Sequence, residues 1–250
     1  MFHIEASSCP VILSTLKGKD TMLVKTRSRL CVMILVMGIT SIVYSQDMPS
    51  DNNIQYHWAF VARTGVAGSR RIGVVTKDTS LKTADEFKLF VNMVKPAFIY
   101  VIHKSSTNEL SVLFPYDTAM FQKEYTLDKN YYIPKGREWF RLDKNTGTET
   151  FYVLASSERL TNLENDLHAY FTSTIDKKPD AAAFVVNEIK DIKKRFRTFA
   201  TIAERPISIA GNVRGEKQPA VDPDRVDIAQ FASEIVANNF FSKTISIDHK

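Results

Sequence analysis

Between residues 54 and 156, apolar and polar side chains tend to alternate, which is the period of a strand with one covered face. In 54–62, Tyr56, Trp58 and Phe60 share one face. In 87–94, Phe87, Leu89, Val91 and Met93 oppose Lys88 and Asn92, which predicts a half-buried strand. Residues 97–103 are an apolar run suited to a central strand, and the polar turn at 105–108 pairs it with 110–114 as a hairpin. Stretches 71–76, 131–133, 139–142 and 149–156 read as further strands, with turn chemistry at 65–69 and at Asn145-Thr146-Gly147. Many short strands with regular turns predict a sandwich or a barrel.

After Ser156 the period lengthens to that of a helix. Thr161 and Glu164 make a capping-box pattern ahead of Leu163, Leu167 and Phe171, which predicts a short helix. Over 181–203, Phe184, Ile189, Ile192, Phe196 and Phe199 recur at helical spacing and predict a longer amphipathic helix, with that stripe buried on its own domain and its end set before Pro206. Residues 207–223 read as loop, 227–239 stay open between helix and strand, and Ile245 and Ile247 mark 243–248 as a returning strand. The fold class is therefore mainly β: an immunoglobulin-like β-sandwich with additional C-terminal helices, α+β overall. Residues 54–160 form the sandwich, and 161–250 a helical extension and terminal strand packed on it.

The N-terminal pattern is different. Lys25, Arg27 and Arg29 precede an apolar run over 30–44, interrupted by Gly38, Thr40 and Ser41, with Val43 and Ser45 as small residues before Gln46. Basic, apolar and small-residue regions in that order predict a signal peptide over 1–45, with Met22 as an alternative start, and a flexible lead-in over 46–53. The run is too short and interrupted for a membrane span of about 20 apolar residues, so no transmembrane anchor is expected after cleavage. The expected location is extracytoplasmic, periplasmic or secreted.

This cut changes what the composition means. The full chain of 250 residues carries 33 Lys and Arg against 28 Asp and Glu. Removing five bases and two acids with residues 1–45 leaves a net charge of +2, a mixed surface that argues against nucleic acid as partner. Both cysteines, Cys9 and Cys31, leave with the same segment, which rules out disulfides, thiolate metal sites and a cysteine nucleophile in the processed chain.

The stretch Ala97-Phe-Ile-Tyr-Val-Ile-His103, Leu113-Phe-Pro-Tyr116, Tyr132-Ile-Pro134, Trp139-Phe-Arg-Leu-Asp143 and Gly147-Thr-Glu-Thr-Phe-Tyr-Val-Leu-Ala-Ser156 resembles the bacterial family called domain of unknown function 4384. The likeness covers roughly residues 80–160. The family's Gly-Asp before the preceding strand is Ala84-Asp85 here, which puts the turn at that point in question. The resemblance implies an exported or modular β domain without established activity, sometimes attached to unrelated partners.

Phosphate loops, dinucleotide fingerprints, nucleophile elbows and zinc-binding histidine pairs are absent from the sequence. His57, His103 and His168 sit singly, and Asp117, Asp128 and Asp143 lie in separate turns, so no cofactor or metal is expected. Tyr116, Tyr125, Tyr131, Tyr132 and Trp139 cluster in the loop-rich middle, where they either plug the sandwich or form a platform for a glycan or peptide. On the second helix, Lys190, Lys193, Lys194, Arg195 and Arg197 form a basic run interleaved with Glu188 and Asp191, the pattern of a solvated face. The candidate contact residues are thus Tyr116, Tyr132, Trp139, Lys193, Lys194 and Arg197. The function expected is a non-catalytic binding or assembly module of the bacterial cell envelope, with a protein or glycan as partner. Two alternatives stand behind it: a hydrolase whose carboxylate site is hidden from sequence, and a scaffold docking a partner through the basic helix.

Overall fold

A computed structural model describes residues 53–66, 69–123, 125–197, 202–206 and 226–250. The signal peptide, its cleavage point, most of the lead-in, the loop at 207–223 and Phe199 lie outside the described residues.

The alternating segments form the strands predicted for them, with small shifts at their ends, and the short β3 is added to them: β1 (Asn53–Thr64), β2 (Arg71–Val74), β3 (Ser80–Leu81), β4 (Glu86–Met93), β5 (Phe98–Lys104), β6 (Leu110–Phe114), β7 (Asn130–Ile133), β8 (Phe140–Arg141) and β9 (Gly147–Ser156). Between β6 and β7 lies a single helical turn, α1 (Met120–Lys123). The helices α2 (Thr161–Thr172) and α3 (Lys178–Phe196) follow, and then β10 (Ile202–Pro206), a 3-10 turn over Ile228–Phe231, β11 (Ser233–Asn238) and β12 (Phe240–His249). The first sheet runs β10-β11-β1-β4-β7, with β2 on β1 and β8 on β4; the second runs β3-β12-β9-β5-β6. The protein is thus mainly β, a two-sheet sandwich with helices. Strands from beyond residue 160 enter both sheets, β11 beside β1 and β12 between β3 and β9, so the sandwich does not close at 160.

Three buried clusters stack through the molecule. The inner faces meet in the main core, where Phe60 and Phe87 pack edge-on against Phe151 at 4.8 and 5.2 Å and Tyr56 meets Phe241 at 6.0 Å. The outer face of the second sheet, with Tyr100, Ile102, Leu154 and Phe240, is covered by Leu163, Leu167 and Tyr170 of α2 and by Val185, Ile189 and Ile192 of α3. The outer face of the first sheet, with Ala59, Val61 and Phe90, is covered by Ile228 and Ala232. Strands β4 and β5 are therefore lined on both sides. For β5 this is the central position expected; β4 is not half-buried, and its Lys88 is only 4% exposed.

The helices depart from the pattern read in the sequence in four respects. The buried stripe of α3 is Ala182, Val185, Ile189 and Ile192, with Phe196 stacked on Phe240 at 4.7 Å, while Phe184 is 67% exposed. On α2, Tyr170 rather than Phe171 faces inward. The capping box does not form: Leu160 is the N-cap, and the Glu164 carboxylate accepts from the Tyr100 hydroxyl (2.7 Å) and from Arg159. Tyr100 also accepts from the Leu160 N–H at 3.0 Å, so the sheet supplies the cap. Finally, α3 ends at Phe196, and residues 202–206, expected as helix and stop, form a strand whose backbone pairs with β11. Pro206 sits at the end of that edge strand, where its missing N–H is tolerated.

Candidate functional site

Among the described residues, the outer face of the first sheet is covered only in part. Beside Phe90, the loop between β7 and β8 and the segment 226–228 leave an open cavity of about 630 Å3, lined by Lys88, Tyr132, Gly136, Arg137, Trp139 and Val226–Ile228. Its walls come from strand register and loop chemistry. Tyr132 lies opposite Phe90 on β7, ring centroids 5.5 Å apart, because the β4–β7 ladder pairs these residues. Its hydroxyl donates to Asp227 Oδ1 at 2.9 Å, and the same oxygen accepts from the Ala229 N–H at 2.9 Å at the start of the 3-10 turn. Burial first, and then the Asp227 carboxylate, push Tyr132 up to about 12, so it remains a donor at physiological pH.

Trp139 is held from behind. The Arg63 guanidinium lies 4.6 Å from its ring, and Arg63 in turn pairs with the buried Glu86 (Nη2 to Oε2, 2.6 Å), which Arg141 joins at 2.9 Å. Lys88 Nζ donates to the Gly136 carbonyl at 2.6 Å and to the Glu138 carbonyl at 2.7 Å, fixing the loop that carries Trp139. The same ammonium lies 5.7 Å from the Tyr132 ring and 5.9 Å from that of Trp139.

Of the six candidate contacts, the structure brings together Tyr132 and Trp139. Tyr116 supports them from inside: its hydroxyl donates to the Tyr132 carbonyl, its ring packs on Phe114 of the main core, and Lys135 lies 4.4 Å from it. Lys193 and Lys194 sit on α3 and Arg197 caps its end; α3 covers the other sheet, so they do not share this cavity. Lys193 donates to Thr244 Oγ1 at 3.0 Å, tying α3 to β12, and the neighbouring Arg195 pairs with Glu188 at 2.8 Å. Lys194 and Arg197 are exposed.

Lys88 was not visible as a site residue, because period-two alternation assigns it to solvent. The loop at 136–139, some fifty residues on, covers it. Asp227 carried no signal of its own, standing at the start of a stretch that the sequence leaves open between helix and strand.

A second polar group lies at one end of the sandwich. The buried Glu149 bonds His103 Nε2 at 2.6 Å through one oxygen, and the other accepts from the Ser106 N–H at 3.2 Å and lies 3.7 Å from His249 Nδ1. Burial pushes this carboxyl up, but the His103 and Ser106 bonds outweigh it and hold it below the usual range. His103 and Glu149 border a cavity of about 260 Å3 rich in hydroxyls, with Ser105, Ser106, Thr107 and Ser111. No hydroxyl among the described residues hydrogen-bonds the His103 ring.

The turn questioned by the sequence is built on a left-handed residue. Ala84 takes φ +72°, the left-handed conformation that favours glycine, while Asp85 Oδ2 accepts from the Lys82 N–H at 2.7 Å. Pro115 and Pro134, of the two proline motifs, both follow cis peptide bonds.

No curated protein matches the chain. Residues 80–159, from β3 to just past β9, match the family model described as a domain of unknown function (DUF4384), the family that the motifs resemble.

Proposed function

We propose that this protein is an exported, non-catalytic binding module of the bacterial cell envelope that takes its ligand in the cleft between Tyr132, Trp139 and Asp227. The observation that carries this reading is the cleft itself: about 630 Å3, with two aromatic side chains, two cations and one acid on its walls. Such a volume and lining suit a small ligand or one unit of a polymer. Export rests on the basic, apolar and small-residue order before Gln46.

The test is capture of solubilised envelope glycan or protein by the wild-type chain and by Trp139→Ala. Loss of an aromatic anchor of this kind weakens binding by about 2 kcal/mol, roughly thirty-fold. Equal capture by the two proteins overturns the assignment of the cleft. Intact-mass analysis of exported protein tests the leader separately: a chain beginning at Gln46 is expected, and a processed species retaining Cys31 contradicts it.

A hydrolytic reading draws on the His103–Glu149 pair at the smaller cavity. It requires turnover of chromogenic ester or glycoside substrates that Glu149→Gln abolishes.

A further inference from the structure

We propose that the cleft on the first sheet binds an acidic saccharide, with the acid group on Lys88 and Arg137 and the sugar ring against Trp139 and Tyr132. The inference rests on the binding reading above and adds the chemical class of the ligand.

Lys88 is the starting point. Its side chain is almost wholly buried, yet it lines the cavity. An ammonium has three N–H donors. Two go to the Gly136 and Glu138 carbonyls; the third has no partner among the described residues, and no carboxylate there lies within ion-pair distance. Burying a charge is costly unless an opposite charge compensates it, and carbonyl dipoles and ring faces do so only in part. Burial first, and then the nearby charge of Arg63, hold Lys88 below its ordinary range against the opposing pull of Glu138, whose carboxylate stays beyond ion-pair distance. Arg137, exposed on the same wall, adds a second cation. A ligand bringing a carboxylate or phosphate supplies what this corner lacks.

The remaining wall selects what carries the acid. Asp227 Oδ1 is committed to Tyr132 and Ala229, while its Oδ2 makes no hydrogen bond among the described residues. A carboxylate oxygen in that state accepts from hydroxyls and repels a second acid. Tyr132 keeps the two charges apart, because its hydroxyl holds Asp227 while its ring face is turned to Lys88. A cation corner, a hydroxyl acceptor and two aromatic faces match a sugar acid better than a plain anion or a neutral sugar. They also disfavour a polyanion, whose next charge would meet Asp227.

The experiment titrates the full chain with methyl glucuronide, a sugar bearing one carboxylate, and with its methyl ester, following tryptophan fluorescence. Trp139 lines the cleft, while Trp58 lies in the core and serves as the silent reference. The acid should bind about ten- to hundred-fold more tightly than the ester, the worth of one hydrogen bond to a charged group. Added salt should weaken the acid alone. Lys88→Met should bring the acid down to the affinity of the ester. Because Lys88 also holds the 136–139 loop, that variant can lose the loop as well. Arg137→Gln, on an exposed side chain, keeps the fold and should weaken the acid several-fold without changing the ester. Equal binding of acid and ester overturns the proposal, as does failure of both to bind. If Trp139→Ala still fails to capture envelope ligand in that event, the cleft remains a binding site and only its acidic-sugar assignment falls. If Trp139→Ala captures as well as wild type, both fall.

Discussion

At position 184 a phenylalanine stands in solvent while its neighbour Val185 is fully buried, and the stability of α3 depends on that one-residue difference of phase. A helix advances 100° per residue, so a stripe read one position out points to the wrong side. Phe184→Ser should leave stability within about 0.5 kcal/mol, whereas Ile189→Ala should cost about 2–5 kcal/mol; urea unfolding separates them. A costly Phe184→Ser would mean that this face is covered. Glu149 gives a second residue-scale outcome. Its folded pKa lies below the unfolded value of about 4.3, so its contribution is present above that pH and is lost as pH falls through the folded value. Glu86 acts in the same direction: burial raises it, but the Arg141 and Arg63 bonds prevail. Wild type should therefore lose stability in acid below about pH 4. Glu149→Gln should be weaker at neutral pH by about 1–3 kcal/mol and show a flatter acid profile. Identical profiles would show that Glu149 contributes nothing to the pH dependence.

At the scale of elements, the start of α2 is organised by a strand. Tyr100, sixty residues before Leu160, accepts the helix's first N–H bond and donates to Glu164, replacing the local capping box. Tyr100→Phe leaves the Leu160 N–H unpaired in a buried place and should cost about 1–3 kcal/mol, with hydrogen exchange accelerated at the first turn of α2. Exchange unchanged at 160–164 would refute this cap. Strand β4 makes the same point about faces: its inner side belongs to the core, and its outer side lies under a loop and a 3-10 turn that its own alternation cannot announce.

At the scale of the molecule, the family match and the folding unit differ in extent. Residues 80–159 hold β4 and β9, yet β4 is paired with β1 and β9 with β12, both outside the match. Strand β1 brings Tyr56, Trp58 and Phe60 to the core, and β12 brings Phe241, Ile245 and Ile247. Each such side chain is worth about 1.5–3 kcal/mol on burial. An isolated 80–159 fragment also exposes two long sheet edges, and should aggregate and show no cooperative melt, while 53–250 melts in one transition. A monomeric, cooperatively melting fragment would show that the matched segment folds by itself.

Strand positions, the 105–108 hairpin turn and the existence of two helices followed from the sequence alone, because backbone sterics and side-chain period act over a few residues. The chain also announced its aromatic loop, from which Tyr132 and Trp139 reached the cleft and Tyr116 did not. Tertiary structure decided the second faces of β4 and β5, the phase of α3 and the conversion of 202–206 into a strand on β11. It also placed Lys88 under a loop about fifty residues away, Asp227 against Tyr132 across 95 residues, and Glu149 against His103 across 46. Period reports that a face is apolar, whereas the partner that covers it or leaves it open is chosen only when distant segments close on one another.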